Sequence, residues 1–153
     1  MSFADITAEI VDVLTDNVIT LTSGMDDAAL VVESRYPEDH FANQVVFVWR
    51  DSLPEIEHGN IVGSGLTATG EVDGFGTWKI ACYIRVPGDE SNAAEQLSVL
   101  AWNLIRVLFG WRQGTDYVSL LVQRSAGRML TGATGWYLGE EFDVRVRWHM
   151  ALP

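Results

Sequence analysis

The chain has 153 residues, a length that fits one domain, 1–153, and suffices for a continuous hydrophobic core. Nearly half of the residues are apolar and no low-complexity block interrupts them, which excludes a disordered chain. Asp and Glu number 21 against 10 Lys and Arg, a formal charge of -11, which argues against tight equilibrium binding to nucleic acid or anionic lipid.

In chain order, Ser2 is placed to cap a first helix with Asp5 near its positive end, and Phe3, Ile6, Ile10, Val13 and Leu14 share one face. That helix is expected to stop near Asp16-Asn17. Strand-like runs follow at 18–22, 28–36 and 45–51, separated by GMDD and PEDHFAN. Segments 65–72 and 78–86 flank VDGFGT, where Asp73-Gly74 is the pair favoured by a tight hairpin turn, so a β-hairpin is expected there. In its second arm Trp78, Ile80, Cys82, Ile84 and Val86 share one face, and Lys79, Ala81, Tyr83 and Arg85 the other.

Asn92 with Glu95 makes an N-cap pairing for a long helix over 93–109, closed by Gly110. Its polar residues Glu95, Gln96, Asn103 and Arg106 share an arc of about 100°, interrupted by Val99. Leu97, Leu100, Ala101, Leu104 and Leu108 lie along the centre of the opposite arc, and Ile105, Phe109 and Trp102 widen it to one side. A helix covering one sheet needs an apolar stripe of about 100°, and this one is about twice as wide, so a second body is expected on the Trp102 side. A strand is predicted at 117–123. The glycine-rich stretch 125–141, with glycines at 127, 132, 135 and 139, is expected to form a long mobile hairpin or arm. The closing strand, 142–150, alternates Phe142, Val144, Val146, Trp148 and Met150 with Asp143, Arg145, Arg147 and His149. The fold class is therefore α+β: a mostly antiparallel sheet with a β-hairpin, packed against one long helix and one N-terminal helix.

No catalytic signature stands out. GSGLTATG lacks the Gly-Lys-Ser/Thr ending and the following helix of a phosphate loop, and HExxH, paired CxxC and GxSxG are absent. His40, His58 and His149 lie far apart in sequence, so no metal or cofactor is expected. The pairs Asp26-Asp27, Glu38-Asp39 and Glu140-Glu141 read as solvated loop ends. Cys82, the only cysteine, excludes an intrachain disulfide and reads as a small core side chain. The N-terminus has no signal-peptide pattern, and no run approaches the about 20 apolar residues of a membrane span, so a soluble protein made in the cytosol is expected.

Arg145, Arg147 and His149 have two readings: a solvent face paired with carboxylates of the neighbouring strand, or a surface that meets an acidic edge of another copy. Six tryptophans are many for this length. Trp78 and Trp148 fall on inward strand faces. Trp102, Trp111 and Trp136 fall on a helix flank, a helix exit and the glycine-rich arm, where either an interface or a larger core would hold them.

The element order, with the hairpin ending TWKIACYIRVPG and the helix NAAEQLSVLAWNLIRVLFG, resembles the tail terminator proteins of long-tailed bacteriophages. That resemblance implies a non-enzymatic virion protein assembled in the host cytoplasm. Its copies would form a six-membered ring on the head-proximal end of the tail tube, end tube polymerisation and meet the head connector, with DNA passing through unbound. Subunit-interface candidates are Trp102, Ile105, Phe109, Trp111, Arg145 and Arg147; candidates for contact with the tube or connector are Arg128, Trp136 and Tyr137. Two other readings stay open: a head-side connector or stopper, and a small-molecule-binding or enzymatic domain with a pocket among 59–76 and His58 or His149.

Overall fold

The computed structural model describes residues 3–38, 42–51, 55–86, 90–109, 117–124, 128–132 and 135–152. Helix α1 (Phe3–Asp16) and the single turn α2 (Val18–Leu21) precede β1 (Val31–Glu33), β2 (Gln44–Arg50), β3 (Glu55–Val62) and β4 (Thr69–Val86). Helix α3 (Glu90–Phe109) leads to β5 (Tyr117–Arg124), β6 (Arg128–Gly132) and β7 (Gly135–Leu152). The seven strands form one sheet in the order β1-β2-β4-β7-β5, with β3 on β4 and β6 on β7. Among the described residues only β1–β2 is parallel, so the expected α+β class with a mostly antiparallel sheet holds.

The axis of the sheet is the antiparallel pair β4/β7, two 18-residue strands each about 60 Å long. Their register runs from Gly70↔Leu152 to Val86↔Trp136. Successive side chains alternate between faces. Trp78, Ile80, Cys82 and Ile84 of β4 and Phe142, Val144, Val146 and Trp148 of β7 meet α1 and α3 in the main core. The Trp78 indole N–H donates to Thr7 Oγ at 2.8 Å, fixing α1 on the sheet. Val45, Phe47, Ala81, Tyr83 and Tyr137 form a smaller core on the opposite face. There Arg35 lies over the Phe47 ring and Tyr36 packs on Trp49, both from the β1–β2 connection.

The structure corrects several expectations. The hairpin does not turn at Asp73-Gly74: β4 runs straight through both residues, and neither takes a positive φ. Gly74 serves close packing, because a Cβ there would land on the Glu55 carbonyl oxygen and the Trp148 ring. The hairpin forms one element earlier, between β3 and β4, where Gly63 and Gly65 adopt φ of 91° and 59°, conformations that glycine takes at little cost. Run 18–22 is mainly the helical turn α2, and of 28–36 only Val31–Glu33 is strand. Helix α3 starts at Glu90, which puts Asn92 inside the helix rather than at its cap.

Of the stretch 125–141, expected as a long mobile hairpin or arm, the described residues form a hairpin: β6 pairs antiparallel with the start of β7, from Arg128↔Gly139 to Gly132↔Gly135. Its Gly139 carries the ring of Tyr83, which occupies the space of a Cβ. Glu140 and Glu141 are accordingly mid-strand, with Glu141 buried, rather than at a solvated loop end.

The polar arc of α3 is also partly covered. Asn103 is buried and its Nδ2 donates to the Leu21 and Ser23 carbonyls, each at 2.9 Å. Two turns earlier Gln96 Oε1 accepts the Asp26 N–H at 2.8 Å. Asn103→Ala should destabilise the protein by about 1–3 kcal/mol, because two carbonyls facing α3 lose their donor. Chemical denaturation checks this, and a change within 0.5 kcal/mol, roughly that of a neutral surface site, would contradict the assignment.

Candidate assembly surfaces

Helix α3 lies on the sheet through Leu97, Leu100, Ala101, Leu104 and Leu108, all buried. Flanking that buried face on one side are Ser91, Ala94, Ser98 and Trp102, all exposed, and the half-buried Ile105. At 3.6 residues per turn these five positions fall within an arc of about 80° that holds no charge. Glu95 and Arg106 flank it on one side. Ser98 donates its hydroxyl back to the Ala94 carbonyl at 3.1 Å, which leaves small, internally satisfied groups beside the indole. Trp102 itself is 63 % exposed, so the second body expected on this side is not supplied by the described residues of its own chain. Phe109 ends α3 but its side chain, like all of Trp111, lies outside the described residues.

Arg145, Arg147 and His149 lie on the sheet face opposite the helices, where neighbouring strands of the same chain engage them. Arg147 Nη2 is 2.9 Å from Glu57 Oε2, and the Arg145 guanidinium stacks 4.3 Å from the centroid of Phe75. His149 Nδ1 hydrogen-bonds the Asp73 carboxylate, and its Nε2 lies 3.8 Å from Glu71. This is the intramolecular pairing that alternation along β7 allowed, and exposed pairs of this kind contribute only about 0–1 kcal/mol each. On the same face Lys79 is 3.1 Å from Asp143. Burial works against the lysine's charge, but the Asp143 hydrogen bond and the nearby Asp51 and Glu141 outweigh it and raise its pKa.

The remaining contact candidates separate. Tyr137, expected at a tube or connector surface, is 1 % exposed and donates its hydroxyl to the Ala42 carbonyl at 3.1 Å, so it is a core residue of the second face. The backbone of Trp136 pairs with Val86 and Thr131, and that of Arg128 with Gly139; their side chains lie outside the described residues.

Sequence reasoning missed the β3–β4 hairpin as a surface. Ile56, Ile61 and Val62 of β3 and Leu66 of the turn are all exposed. The available signal was the absence of any charged residue from Gly59 to Gly70, in a chain as acidic as this one.

For small-molecule chemistry, a cleft of about 300 Å³ opens beside the start of α3, lined by Asp26, Asp27, Arg85, Asn92 and Gln96 among others. Among the described residues no histidine, cysteine or serine lines it, and it lies away from 59–76, where the alternative small-molecule reading placed a pocket and where the structure has mainly the β3–β4 strand pair. Among the described residues no group of three or more His, Cys, Asp or Glu could hold a metal ion. Cys82 is buried, and burial pushes its thiol up to about 12, far from a reactive thiolate. Among the described residues no helix is long and apolar enough to cross a membrane.

No protein-family model matches the chain, and no curated protein matches it in sequence. Among solved structures it is similar to a chain of the virion of a native gene transfer agent particle, at 14% identity and a TM-score of 0.47, with 95% of this chain and 99% of that one covered.

Proposed function

We propose that the chain is a structural, non-catalytic virion protein of the tail terminator type. Its copies close into a ring, six-membered by the family resemblance, that caps the head-proximal end of a tail tube, stops tube growth and joins the tail to the head connector. The observation that carries this reading is Trp102, a large aromatic left 63 % exposed on a helix whose other wide face is filled. Exposed aromatics in an uncharged setting are the anchors of protein interfaces, and contacts between two different patches close into rings when the rotation permits. The charge of -11, multiplied around a ring, suits a conduit that must let DNA through without gripping its phosphates.

Mass measurement of the purified protein, alone and with cognate tail tubes, together with electron micrographs of tube ends, tests the reading. The expected result is ring-sized particles, free or at one end of each tube, and tubes that stop growing once capped. Protein that stays monomeric and leaves tube length unchanged would overturn it. Binding to a portal or adaptor ring without affinity for the tube would move the protein to the head-side connector or stopper position.

A further inference from the structure

Two exposed surfaces of this acidic molecule carry no charge. One is the outer stripe of α3, Ser91, Ala94, Ser98, Trp102 and Ile105; the other is the end of the β3–β4 hairpin, from Gly59 to Gly70. The outer side of α1, by contrast, presents Asp5, Asp12 and Asp16. We propose that the two uncharged surfaces are the halves of one contact: the hairpin end of one copy seats on the α3 stripe of the next, with Ile61 and Leu66 against Trp102. This rests on the self-assembly reading above and names the surfaces that would make it.

Three observations select a second copy as the occupant. Copies that each carry -11 repel one another over most of their surfaces, and that cost is smallest where neither patch holds an acid. Both patches also leave apolar groups in water: Leu66 is fully exposed at the turn, Ile61 and Val62 are exposed beside it, and Trp102 stands on the helix. The patches also differ in build. The hairpin end is a turn between paired strands whose residues 59–67 are all exposed, whereas the α3 stripe sets the small Ala94 and Ser98 beside Trp102. Because the patches are different, the contact is head-to-tail and can propagate around a ring, whereas a two-fold pairing of one patch with itself stops at a dimer.

Cysteine crosslinking tests the assignment, since the native thiol is buried and unreactive. Leu66→Cys and Ser98→Cys place one thiol on each patch while leaving Trp102 intact. With a short bis-maleimide, the assembled double variant should yield a ladder from dimers up to the closed ring, and a mixture of the two single variants should yield dimers only. Rings seen by mass that give no ladder would overturn the hairpin seat while leaving ring formation standing. Efficient dimers from Leu66→Cys alone would overturn it in favour of a two-fold contact. Failure to assemble at all, free or on tubes, removes the ring reading first and this contact with it.

Discussion

Gly74→Ala is expected to destabilise the protein by about 3 kcal/mol, at the upper end of overpacking effects, and to lower Tm by roughly 6–12 °C. The residue sits in mid-β4, opposite Ile56 of β3 and Trp148 of β7. A methyl group there meets the Glu55 carbonyl on one side and the Trp148 ring on the other. Neither neighbour can yield cheaply: the carbonyl belongs to a paired strand, and the indole is fixed in the core. Gly59→Ala is the control. Its Cβ would find only ordinary contacts, and removing a glycine from a strand lowers the entropy of the unfolded chain, so its effect should stay within about 1 kcal/mol. Thermal and chemical denaturation of the two variants check the pair, and equal effects would mean that Gly74 does not lie beneath Trp148.

Trp102→Ala should separate folding from assembly. The side chain is mostly in water, so its truncation should change protomer stability by no more than about 1 kcal/mol. Assembly should weaken by about 30-fold or more, the factor that corresponds to loss of a hot-spot residue contributing about 2 kcal/mol. Sedimentation across a concentration series reads the second effect, and denaturation the first. Assembly at the wild-type concentration would remove the α3 stripe as an interface. A marked loss of protomer stability would show that the indole is part of the core.

How far these features could be read beforehand depended on how local their causes are. The two-residue alternation of 78–86 and 142–150 sorted Trp78 and Trp148 into the core correctly, because burial on a strand follows directly from position. The helical period of α3 likewise left Trp102 uncovered, as found. Asp73-Gly74 misled because turn propensity is a local preference, and here β7 pairs across it without interruption from Val72↔Met150 to Phe75↔Arg147. Val18, Ile19 and Thr20 favour strands, yet α2 is helical, and its Leu21 carbonyl accepts from Asn103, some 80 residues later, a contact that no local pattern announces. The glycines of 125–141 pointed to a hairpin or arm, and β6 with β7 forms a hairpin there, whereas Gly139 is small for a non-local reason, the Tyr83 ring that lies on it. The hairpin surface was legible in part: its lack of charge was visible, whereas its exposure depended on knowing that β3 pairs with β4 alone.

The β4/β7 pairing has a consequence for how the chain acquires its shape. Its closest partners, Val86 and Trp136, are 50 residues apart, and its most distant, Gly70 and Leu152, are 82 apart. Contacts so remote in sequence fold slowly, since the entropy of closing the intervening loop is lost before the ladder repays it. During synthesis the edge of β4 that takes β7 must therefore wait, unpaired, until β7 has left the ribosome. A holdase that shields an extended apolar segment should raise the yield of native protein most during that interval.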